Sequence, residues 1–260
     1  MRSMQSGIAL VVVLVWLMVA MLLAISATQI FLQDHKALIN LRDREIAFQA
    51  AEAGLRDAES EIAGSVAAQG AVPEVRNSFS HSRVAIFPRP DEPLCHSGSG
   101  NAMQGLCRSV VGAETPAWLA VDLASADADV PVPYGRFTGR TMPTGAGPLP
   151  ARAPRYLIER IHSEQIPTVV PATATASSPG SLNATEVWYR ITAIGFGARA
   201  VNQVVLQSYF RVAPPVSDAL GKAGDRPSPA GPLTAMRVGW REILNWQELH
   251  QQLHIDPESS

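Results

Sequence analysis

The chain begins with a continuous run of apolar side chains. Every residue from Ile8 to Ile25 is apolar, and no charged residue occurs between Ser3 and Gln33. At about 1.5 Å per residue this run forms a helix roughly 27 Å long, which nearly spans the hydrocarbon core of a bilayer. A cleaved secretory signal has a shorter apolar part, of about 7–15 residues, with a small-residue site after it. The pattern therefore predicts a retained transmembrane segment over residues 8–30.

The helical pattern continues beyond the apolar run. No Gly or Pro occurs between Ile8 and Ala53, and charged side chains appear from Asp34 onward. Apolar residues then recur at spacings of three, four and seven, which places them on one face of a helix. This apolar stripe consists of Leu41, Phe48, Ala51, Leu55, Ala58 and Ile62. We therefore predict one helix over residues 8–63, whose second half packs the stripe against the chain's own domain.

Alternating side chains predict strands in the C-terminal half of the chain. The predicted strand segments are Arg155–Ile161, Glu186–Ala200 and Val201–Val212. One face of the second and third segments is apolar, and it carries Val187, Tyr189, Ile191, Ala193, Val204, Leu206, Phe210 and Val212. Gly195 and Gly197 lie where a hairpin turn would require a positive φ angle, so we expect these two segments to pair antiparallel.

Turn-forming residues dominate the remaining parts. Residues 64–154 are rich in Pro and Gly and predict irregular connections around short strands, and residues 171–182 predict a flexible loop. A linker-like stretch after Val212 leads into a tail whose Trp240, Trp246 and Leu249 are expected to pack against the sheet. The predicted parts of the chain are thus residues 1–7, a helix at 8–63, an irregular region at 64–154, and a sheet with its tail at 155–260.

Composition and charge restrict the classes of function. The formal net charge is −2, with acidic and basic residues mixed along the chain, so no basic field would attract nucleic acid. The sequence has no phosphate-binding glycine loop, no serine nucleophile elbow and no Cys/His cluster with metal-ligand spacing. We expect neither an enzyme nor a bound cofactor. His250 and His254 lie one helical turn apart without an identifiable third ligand, so we expect a solvated amphipathic end there rather than a metal site.

Two cysteines are the remaining chemical feature. Cys95 and Cys107 flank a short Gly- and Ser-rich loop, and with an export-like start they predict a disulfide formed in an oxidising compartment. Two free thiols, or a metal pair completed by His96, are the alternatives. Charge alone leaves the membrane orientation open, because basic residues flank both ends of the apolar run and long domains translocate largely regardless of charge. The disulfide favours an exported C-terminal domain.

A short start ending in glycine, a long apolar helix and a C-terminal sheet together resemble the type IV pilins. The resemblance is most specific in four segments, which are similar to a minor pilin of the PilX type: Leu41–Glu59, Arg155–Ile161, Tyr189–Gly197 and Val238–Ile243. It implies an α+β pilin-like fold in which the long N-terminal helix, half of it transmembrane, packs on an antiparallel sheet. It also implies a structural subunit rather than an enzyme.

The resemblance gives the glycine at the start of the apolar run a role. In type IV pilins a membrane aspartyl peptidase cuts after this glycine and methylates the new amino terminus. For this chain that implies a leader over residues 1–7, cleavage between Gly7 and Ile8, and methylation of Ile8. Most pilins have Phe or Met at the first mature position, where this chain has Ile.

The resemblance also gives a role to the fifth residue of the mature chain. Most type IV pilins carry a glutamate there, and this chain carries Val12. A carboxylate within a bilayer costs about 2.5–3.5 kcal/mol on insertion scales. In pilins this cost is thought to be recovered when the glutamate pairs with the amino terminus of the preceding subunit. A subunit with Val12 needs no predecessor, so the resemblance implies that it can stand first, at the pilus tip.

The implied partners are other minor pilins, a tip adhesin, the major pilin, the prepilin peptidase and the inner-membrane assembly platform. The implied location is the inner membrane, with one transmembrane pass and a periplasmic C-terminal domain, and the pilus tip. Two alternatives stay open: a K-type minor pseudopilin of type II secretion, which also lacks the glutamate, and a membrane-anchored periplasmic binding module in which Gly7 is not cut. Twitching, DNA uptake and attachment are not separated by the sequence.

Overall fold

The structure is a computed structural model of the 260-residue chain. It describes residues 5–67, 93–110, 112, 115–162, 187–213 and 234–255, and within the long N-terminal helix it describes the side chains of residues 9–26 and 35–64. The helices of this described part are α1 (Gln5–Ala67), α2 (Ala117–Ala120) and α3 (Trp246–Ile255). Its strands are β1 (Leu106–Arg108), β2 (Val132–Pro133), β3 (Arg155–Ile161), β4 (Val187–Phe196), β5 (Gln203–Ala213) and β6 (Thr234–Glu242).

The chain divides into two compact units, residues 1–43 and residues 44–260. The first unit is the N-terminal part of α1. Its apolar segment Ala9–Ser26 has a mean hydropathy of 2.9, and none of it is buried within the protein. By length and composition this is the one segment among the described residues that could cross a membrane.

The second unit is built around a mixed β-sheet. The strand order is β1-β3-β4-β5-β6, with β2 pairing on β3. The pairs β3/β4, β4/β5 and β5/β6 are antiparallel, as the sequence predicts, but β1 pairs parallel to β3. The expectation of a wholly antiparallel sheet is therefore wrong at this edge. The connection from β1 to β3 is long enough to carry α2 and β2, and a parallel pair requires such a crossover.

The second half of α1 packs on one face of the sheet. Its fully buried Ala51, Leu55, Ala58 and Ile62 form a core cluster with strand residues such as Ile158. The predicted apolar face of β4 and β5 lies in the same cluster, either buried or packed against it: Val187, Tyr189, Ile191, Ala193, Val204, Leu206, Phe210 and Val212. The alternation in the sequence is thus confirmed as the face that meets the helix.

Gly195 lies where the backbone of α1 approaches the sheet closely. A Cβ atom at this position would lie 2.1 Å from the carbonyl oxygen of Ala47 and 2.3 Å from the backbone nitrogen of Ala51. Neither Gly195 nor Gly197 has a positive φ angle, so the predicted reason for these glycines is wrong. The turn follows Phe196 at the end of β4, and the glycine at 195 lets the helix backbone lie directly on the strand.

The other face of the sheet is also covered. A second core cluster joins strand residues to α2, α3 and the segment that contains the cysteines: Cys107, Ala117, Trp118, Val121, Leu123, Leu157, Ile194, Phe196, Val205, Ile243 and Trp246. Trp246 is buried and Leu249 packs against this cluster, as expected of the tail. Trp240 differs, because it lies within β6 with 51% of its surface exposed. The tail after the linker therefore supplies a strand of the sheet as well as a packed helix.

Candidate functional site

The N-terminal part of α1 contains the residues to which the sequence assigned processing and assembly. Gly7 and Ile8 lie within α1, and the side chain of Ile8 is not among those that the structure describes. Val12 is 49% exposed in a run of exposed apolar side chains. The hydroxyl of Ser26 donates a hydrogen bond of 2.9 Å to the carbonyl oxygen of Leu22, which satisfies this polar group within the helix.

The apolar stripe is buried along most of its length. Ala51, Leu55 and Ile62 are fully buried, and Phe48 is half-buried against the same cluster. Leu41 is 64% exposed, so the prediction that it packs on the sheet is wrong. Ala47 is the first buried apolar residue of this face, and its carbonyl lies against the end of β4.

Acidic side chains of α1 bind an arginine of the edge strand β6. Arg237 donates hydrogen bonds from Nη1 to Glu52 at 2.9 Å and from Nε to Glu59 at 2.7 Å. The Ser208 hydroxyl of β5 also donates to Glu59, at 3.0 Å. Burial lowers the pKa of Arg237, but the hydrogen bonds and charges of Glu59 and Glu52 outweigh burial and raise it above its usual value. The helix therefore holds β6 with charged groups as well as with its apolar stripe.

A buried carboxylate on α1 anchors the loop that follows β2. Asp57 is fully buried and accepts hydrogen bonds from the Gly135 backbone N–H, at 2.7 Å, and from the Thr138 hydroxyl. Gly135 has a φ angle of +77°, and a Cβ atom there would lie 1.7 Å from the carbonyl oxygen of Arg140. A residue other than glycine would therefore push this loop away from Asp57.

Two further contacts join α1 to β6. Arg44 donates from one nitrogen to both carboxylate oxygens of Glu242, at 2.7 and 2.8 Å. The rings of Phe48 and Trp240 meet edge to face, with centroids 5.7 Å apart.

The sequence predicted the apolar stripe of α1 but not the role of its acidic neighbours. Glu52 and Glu59 are seven residues apart and so share a helix face, which is the signal that could have found them.

The disulfide predicted from the sequence is present. Cys95 and Cys107 are bonded, with their Cα atoms 4.1 Å apart. Backbone hydrogen bonds flank the bond, from the His96 N–H to Leu106 and from the Arg108 N–H to Leu94. The alternatives of free thiols or a metal pair with His96 therefore do not apply. The disulfide attaches the loop before β1 to the edge of the sheet.

A buried ion pair lies beside the disulfide on the face of the sheet away from α1. Glu159 is fully buried and accepts two hydrogen bonds from Arg190, at 2.8 and 2.9 Å. Burial raises the pKa of Glu159, against the opposing effects of Arg190 and of the backbone N–H groups of Trp118 and Ala117. The arrangement fixes α2 over β3 and β4.

The histidines of the tail do not form a metal site within the described part of the chain, where no three candidate ligands cluster. His250 stacks on Trp246 with ring centroids 5.3 Å apart, and its Nε2 lies 3.7 Å from a carboxylate oxygen of Asp122. The expectation that His250 belongs to a solvated end is therefore wrong, because the ring packs on the indole. The side chain of His254 lies outside the described residues.

Two protein-family models match the chain. The PilX N-terminal model matches residues 6–56, and the model described as type IV pilus assembly protein PilX, C-terminal, matches residues 91–212. No curated protein and no solved structure matches significantly. The two models match α1 as far as Arg56, the disulfide loop, strands β1 to β4, and β5 as far as Val212. The chain therefore belongs to the PilX family of type IV pilus assembly proteins, and it is a membrane-anchored minor pilin, a structural subunit that associates with other pilus components.

Proposed function

We propose that this minor pilin takes part in the initiation of pilus assembly, in a complex with other minor pilins at the fibre tip. The observation that carries the proposal is Val12, an apolar residue at the position where most pilins have a glutamate. The described side chains from Ala9 to Ser26 include no carboxylate at all. Contacts with the major pilin, a tip adhesin and the inner-membrane assembly platform belong to the same proposal.

The first step of the proposed pathway is removal of a leader. A prepilin peptidase cuts between Gly7 and Ile8, and Ile8 receives the methyl group. Glycine suits this position because it has no side chain to obstruct access to its carbonyl carbon in a narrow membrane active site. The PilX N-terminal match supports this step, because it begins at residue 6 and includes both residues.

Processing is tested by the mass of the mature amino terminus. We expect a chain that starts at methylated Ile8, and we expect Gly7→Val to block its formation. Gly64→Val serves as a matched control, since it places the same side chain at an exposed glycine of the same helix. A mature chain that still starts at residue 8 in Gly7→Val, or an uncut wild type, would contradict the proposed processing.

The charge balance at Val12 supports a tip position. A glutamate in the apolar run would have to be inserted at a cost of about 2.5–3.5 kcal/mol and would require the amino terminus of a preceding subunit as its partner. Val12 has no charge to neutralise. This subunit can therefore leave the membrane first, and later subunits with a glutamate can pair with its amino terminus. The disulfide supports the same proposal, because such bonds are typical of domains that fold in an oxidising compartment.

The tip position is tested with pilus counts and immunogold labelling of sheared fibres. We expect label at fibre ends, few pili in a deletion strain, and fewer pili with Val12→Glu than with wild type. Val12→Leu is the control, because it changes the side chain at the same position without adding charge, and it should restore wild-type numbers. Label spread evenly along the shafts, together with normal pilus numbers in the deletion strain, would overturn the tip proposal.

A further inference from the structure

Two arginines of the sheet are paired with acidic side chains. Arg190 on β4 has Glu159, and Arg237 on β6 has both Glu52 and Glu59. The pattern is expected, because a guanidinium that leaves bulk water is stable only with an anionic or hydrogen-bonding partner. Two arginines towards the opposite edge of the sheet have no carboxylate partner among the described residues.

Arg108 on β1 and Arg160 on β3 occupy the same register of the parallel pair. Neighbouring strands are about 4.8 Å apart, so the two side chains leave the sheet side by side. They lie on the face that meets α1, because Leu106 and Ile158, two residues earlier on each strand, are both in the core cluster beneath the helix. Two positive charges are therefore adjacent on one face.

Neither guanidinium meets a carboxylate within the part of the chain that the structure describes. Like charges directly opposite one another on a sheet are destabilising. The Nε of Arg108 is also shielded from water, with no hydrogen-bond acceptor among the described residues, and a buried donor of this kind is costly. Arg160 is exposed, so a solute can reach the pair.

Tyr189 on β4 is the cross-strand neighbour of Arg160 and extends the row. Burial raises the pKa of Tyr189 to about 12, and the charge of Arg160 acts in the opposite direction. The phenol therefore remains neutral at physiological pH, and it adds no negative charge to balance the arginines.

We propose that Arg108 and Arg160 form a binding site for an oxyanion of the phosphate class. Two guanidiniums present several N–H donors in rigid planar forks that match phosphate oxygens, and together they balance the charge of a phosphate dianion. The half-buried Arg108 strengthens the site, because partial exclusion of water strengthens the electrostatic attraction. The same chemistry is available from inorganic phosphate and from the headgroup of an anionic phospholipid.

The site is tested with the full chain in a non-ionic detergent, titrated calorimetrically with inorganic phosphate against chloride of equal ionic strength. We expect phosphate to bind the wild type saturably. In Arg108→Gln and in Arg160→Gln the affinity for phosphate should fall about tenfold, because each variant loses one charge-assisted hydrogen bond. Arg140→Gln is the matched control, since it removes an exposed arginine away from the site, and it should bind as the wild type does. Absence of saturable binding, or binding as tight as that of the wild type in a variant that carries both Arg108→Gln and Arg160→Gln, would overturn the proposal.

Nanodiscs separate the two sources of phosphate. The titration is repeated with the full chain in phosphatidylcholine discs with and without phosphatidylglycerol. Weaker phosphate binding in the presence of phosphatidylglycerol identifies the lipid headgroup as an occupant of the site, and unchanged binding identifies free phosphate.

Thermal unfolding provides a readout that a purely structural arginine would not give. In phosphate-free buffer, Arg160→Gln should leave the Tm unchanged or raise it, because it removes a like-charge contact. Phosphate should then raise the Tm of the wild type but not of the variant. A Tm several degrees lower for Arg160→Gln in phosphate-free buffer would show that contacts within the chain hold the arginine, and would overturn the proposal.

Discussion

The contact between α1 and β4 at Gly195 leaves no room for a side chain. In Gly195→Ala the new Cβ would lie 2.1 Å from a carbonyl oxygen and 2.3 Å from a backbone nitrogen of the helix. Favourable separations between non-bonded heavy atoms are about 3.5 Å, so the helix must move away from the strand by about 1 Å. A gap of that size removes a quarter to a half of the dispersion energy of each contact between the helix and the sheet. Overpacking usually costs about 1–3 kcal/mol, and we expect about 3 kcal/mol here because rigid backbone cannot yield.

The assay is urea unfolding of the full chain in detergent, followed by tryptophan fluorescence. Gly239→Ala is the control on the edge strand, where a Cβ would meet no atom within 4 Å, and we expect it to be neutral or stabilising by about 0.5–1 kcal/mol. Combining Gly195→Ala with Ala51→Gly should not restore stability, since the nearest atoms are backbone. The reasoning is refuted if Gly195→Ala stays within about 0.5 kcal/mol of the wild type, or if the double variant recovers.

Three further perturbations follow from the packing of the second unit. Phe48→Ala should lower the free energy of unfolding by about 2 kcal/mol in urea unfolding. This is less than the cost of about 3–5 kcal/mol for a fully buried ring, because Phe48 is half-buried. A cost under about 0.5 kcal/mol would contradict the prediction. Arg190→Met should lower the free energy of unfolding by about 3–5 kcal/mol, because it leaves Glu159 buried without its partner. Adding Glu159→Leu should restore most of this stability. A double variant as unstable as Arg190→Met would contradict the prediction. Loss of the bond between Cys95 and Cys107 should cost about 2–3 kcal/mol, and thiol labelling of the unreduced, unfolded chain should find no free cysteine.

The elements with a regular hydrophobic period could be predicted from the sequence. The unbroken apolar run and the stripe at helical spacing predicted α1, whose observed bounds are Gln5–Ala67. Alternation predicted β3, β4 and β5 and identified the face that meets the helix. These features are local, because a side chain's direction along a helix or strand follows from its position in the repeat alone. The two cysteines, taken together with the export-like start of the chain, also predicted their bond.

The arrangement of charges could not be predicted in the same way. Glu52 and Glu59 look like solvated helix residues in the sequence, yet they bind Arg237, which lies 185 and 178 residues further along the chain. Asp57 looks equally ordinary and is fully buried. Their partners lie in a loop and an edge strand that carry no strong periodic signal, so nothing local indicates which carboxylate meets which donor.

Tertiary structure alone also decided how the elements are placed against each other. The parallel pairing of β1, the inclusion of β6 in the sheet and the exposure of Leu41 depend on which segments meet in space and how far the sheet extends along the helix. The same holds for Gly195, whose role comes from a helix backbone resting on the strand rather than from a turn. A sequence pattern indicates which side of an element is apolar, but contacts between distant parts of the chain decide which surface covers that side. Only these contacts bring Arg108 beside Arg160.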